Sequence, residues 1–206
     1  MNKFTRRTVI AAACAAAAMT FAPMSFAQQA PEKKDVTIAV GGKSLYYYLP
    51  LSIAEQLGYF KDEGLNVKIV DFQGGSRSLQ AVVGGSADVV SGAFEHTISM
   101  QAKKQPMTAF VLQGRAPQLA LVVSNKTMKD YKQLSDLKGK KVGVTAPGSS
   151  SQMVANFILK KGGLGPKDVA FIGVGSSSGA VSAIRSGQID ALINLCLLYT
   201  SDAADE

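Results

Sequence analysis

Four short turns in this sequence combine glycine with serine in a way that suits the binding of an electron-rich small molecule. They are "GGKS" at 41–44, "GGSRS" at 74–78, "PGSSS" at 147–151 and "GSSSG" at 175–179. Glycine lets backbone N–H groups approach a ligand closely, and serine adds a hydroxyl donor and caps the helix that follows. The positive end of that helix favours an anionic group. Each turn taken singly also fits ordinary helix capping.

Residues capable of catalysis are scarce in this chain. Glu95 lies next to His96, but His96 is the single histidine, and neighbouring positions on a helix face different directions. No G-x-G-x-x-G fingerprint and no G-K-[ST] phosphate loop occurs at the required spacing. The two cysteines, Cys14 and Cys196, lie near the ends of the chain, so residues 28–195 hold no thiol. The sequence therefore predicts a protein that is not an enzyme, with no catalytic residue, no metal site and no cofactor.

The segments around the four turns alternate between short apolar strands and helices of about ten residues. The predicted strands are "VTIAV" (36–40), "NVKIVDF" (66–72), "DVVSG" (88–92), "MTAFVLQ" (107–113) and "LALVVS" (119–124), with further strands after residue 140. This alternation and its short connections indicate an α/β fold with mostly parallel sheets. Ligands of such sheets bind beyond the carboxyl ends of the strands, which is where the four turns fall.

One pattern of residue types occurs twice in the sequence. "LQAVVGGSADVVSGA" begins at residue 79 and "VSAIRSGQIDALINL" at residue 181, and each gives a helix end, a glycine, two spacers, an aspartate and an apolar run. Asp88 and Asp190 are 102 positions apart, as are Gly85 and Gly187. The shared register predicts two similar α/β lobes with a ligand cleft between them. Helix-to-strand connections also converge on glycine caps and aspartate starts, which is the alternative explanation.

Both ends of the chain look unlike the folded part. Residues 1–27 have a charged start, an apolar alanine-rich run and small residues before a cleavage point, which predicts a signal peptide for the Sec or the twin-arginine route. Residues 196–206 resemble a translated sequencing adapter, and we expect a non-native tail there. The first part of lobe 1 is predicted at 28–124, and an incomplete, truncated lobe 2 at 125–195.

The charge of the chain disfavours a nucleic-acid partner. There are 22 Lys and Arg residues against 15 Asp and Glu residues, a formal net charge of +7. The basic residues occur singly or in pairs, without an arginine-rich arm or an aromatic-interleaved stripe. A mild positive field of this kind suits an anionic small molecule.

Two motifs give the chain a resemblance to a known family. The pattern A-x-x-x-G-Y-F-x-x-E-G-L spans 54–65, and D-L-K-G-K-x-V-x-V spans 136–144. With the sequence around them, from about 36 to 195, they resemble the solute-binding proteins of ABC importers for nitrate, sulfonate and taurine. The resemblance implies a periplasmic-binding-protein-like fold and a periplasmic, monomeric protein. Its partners would be a small anionic or polar organic solute and the membrane permease that receives it.

The resemblance also implies a set of ligand-facing residues, all in loops that follow strands. Carried over by position, this set consists of Gly42, Lys43, Ser44, Leu45, Gly75, Ser76, Ala93, Phe94, Glu95, Ser149, Ser150 and Ser151.

Two other classes of protein share this fold by resemblance. One is a group of enzymes that make a thiamine pyrimidine precursor and depend on a cysteine-rich segment with histidine, which residues 28–195 lack. The other is the effector-sensing module of a regulator, which the predicted export signal disfavours.

Overall fold

The computed structural model describes residues 31–116 and 118–195 of the 206-residue chain. The predicted signal peptide at 1–27 and the predicted tail at 196–206 lie outside the described residues. The elements below belong to one compact unit that begins at Lys33.

The first half of the described chain forms a three-stranded parallel sheet with the order β2-β1-β3. Its strands are β1 (Asp35–Val40), β2 (Asn66–Asp71) and β3 (Val89–Val90). Its helical segments are a 3-10 turn (Tyr46–Tyr48), α1 (Leu49–Gln56), α2 (Tyr59–Asp62), α3 (Gly75–Val83) and α4 (Glu95–Ala102). Because the three strands run parallel, the turns that follow them all lie at the carboxyl ends of the strands.

The second half forms a four-stranded sheet with the order β4-β7-β5-β6. Its strands are β4 (Leu119–Val123), β5 (Lys141–Val144), β6 (Ala170–Gly173) and β7 (Ala191–Leu195). Its helical segments are a 3-10 turn (Leu134–Leu137), α5 (Ser150–Lys161) and α6 (Ser178–Ser186). Strands β6 and β7 pair parallel to β5, and β4 pairs antiparallel to β7. The predicted α/β fold with mostly parallel sheets is confirmed.

The two copies of the repeated residue pattern make equivalent hydrogen bonds, one copy in each sheet. Asp88 Oδ2 accepts the N–H of Thr37 at 2.8 Å, and Asp190 Oδ2 accepts the N–H of Lys141 at 2.9 Å. Each aspartate also donates its own N–H to the carbonyl oxygen of the same partner residue. The glycine three positions before each aspartate has a positive φ, 75° in one case and 82° in the other. Each aspartate therefore fixes the position at which the strand that follows it joins its sheet.

Each sheet has its own apolar core. Around the first sheet, the buried residues Ile38, Val40 and Tyr48 pack together. Around the second, residues such as Leu137 and Leu159 are at most 2% exposed. Among the described residues, no helix has both the length and the apolar character that crossing a bilayer requires.

The structure differs from the predicted strands at residues 107–113. This segment has no regular secondary structure, and Phe110, Val111 and Leu112 are 71–73% exposed. β-rich composition forms a strand only where a neighbouring strand offers backbone partners, and this segment has none in the described chain. The next strand, β4, joins the second sheet, although it lies within residues 28–124, which are predicted to belong to lobe 1. The lobe limits stay a prediction.

Candidate functional site

The turns after β1 and β2 approach each other so closely that glycine is required. A methyl group on Gly41 would lie 2.5 Å from the backbone nitrogen of Gly75 and 2.8 Å from the Cα atom of Gly74. The N–H of Gly41 donates to the hydroxyl of Tyr48 at 3.1 Å in a buried position. The backbone of this turn is thus held from both sides.

A serine in the turn after β2 and a serine in the turn after β5 are hydrogen-bonded to each other. Ser76 donates its N–H to Ser149 Oγ at 3.2 Å and its hydroxyl to the carbonyl oxygen of Pro147 at 2.9 Å. The hydroxyl of Ser149 donates to Ser76 Oγ at 3.1 Å. The turn after β2 therefore contacts the turn after β5 directly.

A cavity of about 490 Å³ lies where the turns of both sheets come together. This volume is in the range of small-molecule sites. Residues of the first half line it as follows: Gly41, Leu45, Tyr47, Tyr48, Gly75, Gly92, Ala93, Phe94, Glu95, Gly114, Arg115 and Ala116. Residues of the second half line it as follows: Leu119, Thr145, Ser150, Ser151, Met153, Val154, Phe157 and Leu195.

The charged lining residues of this cavity are Glu95 and Arg115. The Oε1 atom of Glu95 is shielded from solvent and has no hydrogen-bond partner within the described chain. The side chain of Arg115 is exposed. The ion pairs found in residues 31–116 and 118–195 are Lys33–Asp88 and Lys43–Glu55, so neither cavity charge is neutralised by an ion pair there.

The charge of Glu95 acts on two neighbouring side chains. Burial lowers the pKa of His96 from its ordinary value, and Glu95 opposes that shift. The imidazole is therefore neutral at pH 7. Burial raises the pKa of Tyr47, and the charge of Glu95 raises it further. Both hydrogen-bonding groups next to Glu95 are thus uncharged near neutral pH.

Tyr48 is the best-shielded aromatic residue of the lining, with 4% of its surface exposed. Burial raises the pKa of its hydroxyl to about 12, although the hydrogen bond from Gly41 lowers it. The ring of Tyr47 packs edge-on against that of Tyr48, with 5.0 Å between the ring centroids. Two of the three consecutive tyrosines therefore stabilise the cavity wall.

The structure brings seven of the twelve residues implied by resemblance to the cavity wall. They are Leu45, Gly75, Ala93, Phe94, Glu95, Ser150 and Ser151. The hydroxyl of Ser151 is held by Thr145, whose N–H donates to it at 3.0 Å. The first backbone N–H groups of α5, including those of Ser150 and Ser151, have no intrahelical acceptor, as at any helix start. That these residues contact a ligand stays a prediction.

The other five residues do not line the cavity, and four of them have protein partners. The N–H groups of Gly42 and Lys43 donate to Asp71 Oδ1 at 2.7 and 2.9 Å, and Lys43 Nζ pairs with Glu55 at 2.6 Å. Ser76 and Ser149 bond to each other, as described above. Ser44 is exposed outside the wall. The four residues with partners lie in the predicted turns, but their donors hold those turns together.

Sequence reasoning missed one face of α5. Ser150, Met153, Val154 and Phe157 line the cavity at the i, i+3, i+4, i+7 spacing of a single helix face. The periodicity could have identified this face once Ser150 was taken as a site residue. Arg115 follows an irregular segment, so no periodicity marks it, and its charge is the sequence signal that makes it able to pair with an anion.

No group of three or more His, Cys, Asp or Glu side chains could hold a metal ion within residues 31–116 and 118–195.

A family model described as "NMT1/THI5 like" matches residues 46–200 of the chain. A similar curated protein is the 4-amino-5-hydroxymethyl-2-methylpyrimidine phosphate synthase of Schizosaccharomyces pombe, which is 27% identical over 161 residues. That alignment covers 78% of this chain and 44% of the synthase.

The chain resembles solved structures of several proteins, among them the following three. One from Bordetella bronchiseptica RB50 is 62% identical with a TM-score of 0.81, and the match covers 84% of this chain and 54% of that one. The alkanesulfonate-binding protein SsuA from Xanthomonas axonopodis pv. citri, bound to MOPS, is 21% identical with a TM-score of 0.62, over 85% of this chain and 59% of that one. The periplasmic nitrate-binding protein NrtA from Synechocystis PCC 6803 is 20% identical with a TM-score of 0.59, over 82% and 48%.

These matches show the fold of the chain and how its length compares with the lengths of the proteins it matches. The likeness to SsuA and NrtA shows a periplasmic-binding-protein-like fold, as the sequence predicts. The chain spans about half the length of the proteins it matches.

Proposed function

Because this chain belongs to the NMT1/THI5-like family, we propose that it is the extracytoplasmic solute-binding component of an ABC importer. It would bind a small anionic or polar organic solute, such as a sulfonate, or nitrate, and deliver it to a membrane permease. The observation that carries the proposal is the cavity of about 490 Å³ lined by turns and helices of both sheets.

The cavity offers two features that favour an anionic group. The first turn of α5, at Ser150 and Ser151, presents the positive end of a twelve-residue helix. Arg115 adds a full positive charge on the wall. A helix terminus contributes about 0.3–2 kcal/mol and a charged hydrogen bond about 1.5–3 kcal/mol. With burial of apolar surface, these terms are sufficient for micromolar binding, about −8 kcal/mol.

Contacts from both sheets explain how a bound solute could act on the protein. A solute that touches Glu95 on one side and Ser150 on the other gains affinity only when both walls are in place. Its binding therefore favours the arrangement in which the turns are together, and the differential affinity sets the size of that effect. A permease can distinguish loaded from empty protein by that arrangement.

The proposed compartment is the periplasm, reached by the Sec or the twin-arginine route, and the proposed protein is a monomer. The absence of cysteine from residues 28–195 fits a thiol-independent protein in an oxidising compartment. The predicted signal peptide supports export.

Titration calorimetry of the purified chain with a panel of sulfonates, nitrate and small aromatic solutes tests this function. We expect a saturable, one-site isotherm for at least one sulfonate. Arg115→Ala should weaken that binding about 10-fold, because it removes a charged hydrogen bond. Arg77→Ala is the matched control, since the exposed Arg77 side chain bonds to Gln80 outside the cavity. No saturable heat with any probe, or equal effects of both variants, would refute the proposal.

The relationship to pyrimidine synthases supports a second candidate function, an enzyme on the same fold. Residues 28–195 contain no cysteine and one histidine, so the cysteine-dependent chemistry of that group has no equivalent there. Mass spectrometry of each solute after incubation with the chain separates the two functions. Recovery of unchanged solute agrees with a binding protein, and conversion to a product would favour the enzyme.

A further inference from the structure

A buried carboxylate oxygen without a partner needs an explanation. Glu95 Oε1 is shielded from solvent and accepts no hydrogen bond within the described chain, yet its side chain lines the cavity. Nearly all buried polar atoms in proteins have a partner, because a charged group without one costs several kcal/mol. The Glu95 side chain as a whole is only partly buried where it lines the cavity, so its carboxylate can accept a hydrogen bond from a solute that enters.

The position of Glu95 at the start of α4 does not explain why its Oε1 atom is shielded from solvent. A carboxylate there can cap the helix by accepting first-turn N–H groups. Here the N–H of His96 donates to the carbonyl oxygen of Ala93, and the N–H of Thr97 donates to that of Phe94. These two first-turn amides are therefore already paired with the backbone.

No neighbouring cation neutralises Glu95 either. Lys43 pairs with Glu55 at 2.6 Å. Burial keeps His96 neutral. Arg115 forms no ion pair with Glu95 in the described chain. The negative charge thus remains available to a solute.

The surroundings of this charge are apolar. Phe94 and Phe157 line the cavity while 67% and 62% of their surfaces remain exposed, and Leu45 and Met153 line it as well. A small inorganic oxyanion would leave these side chains uncovered and would meet the carboxylate with like charge. A solute with an apolar body covers them and gains about 25 cal/mol for each Å² buried.

We infer that Glu95 selects the solute, so that the cavity takes an organic molecule with an apolar body and a nitrogen headgroup that donates hydrogen bonds, such as an amine or amidine cation. This inference rests on the proposed function, since it concerns the solute of the same cavity. Any acidic group on that solute would face the start of α5 and Arg115, at the opposite end from its nitrogen. Inorganic nitrate is then a poor ligand.

Calorimetry of the full chain with three probes tests the inference: benzamidine, benzenesulfonate and nitrate. The first two share a benzene ring and differ in the headgroup, a cationic donor against an anion. We expect benzamidine to bind at least 10-fold more tightly than benzenesulfonate or nitrate. Glu95→Gln should weaken benzamidine about 10- to 100-fold, because it removes the charge from the hydrogen bond and keeps the shape. The control is Asp62→Asn, which removes a charge from an exposed residue outside the cavity. It should leave the affinity for each of the three probes unchanged.

The outcomes separate this inference from the proposed function. Tighter binding of benzenesulfonate or nitrate than of benzamidine would overturn the inference and leave an anion-binding importer component standing. Equal loss of benzamidine affinity in Glu95→Gln and Asp62→Asn would also overturn it, since the effect would not come from the cavity. If neither these probes nor the wider panel bind, the proposed function fails as well. If Glu95→Gln does not fold, the comparison of probes on the unmodified chain still decides.

Discussion

Replacing Tyr48 with phenylalanine removes one hydroxyl group from the cavity wall and little else. That hydroxyl accepts the N–H of Gly41 at 3.1 Å in a buried position, and 4% of the Tyr48 surface is exposed. The variant keeps the ring in the core of the first sheet but leaves the Gly41 N–H without its partner. A buried donor without a partner costs about 1–3 kcal/mol of unfolding free energy. We therefore expect Tyr48→Phe to lose that amount at pH 7.5.

Tyr47→Phe is the matched control. Its hydroxyl reaches the carbonyl oxygen of Gly92 at 3.5 Å, the outer limit of a hydrogen bond. This variant should lose about 0.5 kcal/mol or less. Urea unfolding followed by circular dichroism measures both, and the slope with urea should stay constant because the surface exposed on unfolding is unchanged. Equal losses in the two variants would refute the reasoning from the Gly41 bond.

The pH dependence gives a second check on the same residue. Burial raises the pKa of Tyr48 in the folded protein from its ordinary value of 10.0 to about 12. The folded state therefore keeps its proton where the unfolded state loses it, so stability falls as the pH rises from 10 to about 12. A shift of this size corresponds to roughly 3 kcal/mol. Tyr48→Phe lacks this loss, so its stability should approach or exceed that of the unmodified chain near pH 12.

Three further predictions concern other parts of the site. Gly41→Ala should lower the free energy of unfolding in urea by about 1–3 kcal/mol or more, because its methyl group meets the backbone of the turn after β2. Gly165→Ala should lower it much less, because the nearest atom to its methyl group is 3.5 Å away. A double-mutant cycle of Ser76→Ala and Ser149→Ala should give a coupling of about 0.5–2 kcal/mol, and additive losses would contradict a direct bond between the two hydroxyl groups. NMR titration of the single imidazole, His96, should give a pKa below 6.5, and the chain should lose stability as the pH falls below 6.5, because the unfolded state then binds the proton first.

The fold was accessible from the sequence because its signals are local. Strand composition, helix periodicity and the glycine stops act over a few residues, and they predicted the parallel α/β order. The shared register of Asp88 and Asp190 pointed to equivalent strand starts, and the hydrogen bonds to Thr37 and Lys141 have that equivalence. The same local reasoning predicted a strand at 107–113 wrongly, since pairing depends on a neighbour that local sequence does not contain.

The candidate site was accessible only in part. Sequence position put Gly42 and Ser76 in turns that reach the cavity, but Asp71 and Ser149 hold their N–H groups. Which donor in a turn is free depends on residues far away in the chain, and only the packed structure brings them together.

The sequence by itself determined the alternation of strands and helices and the places where glycine lets the backbone turn, because these follow from short-range sterics and hydrophobic periodicity. Only the tertiary structure decided that the Oε1 atom of Glu95 is shielded from solvent without a hydrogen-bond partner, beside apolar walls contributed by both sheets. The physical reason is that burial and hydrogen bonding depend on long-range packing, in which residues distant in the chain become neighbours and exclude water.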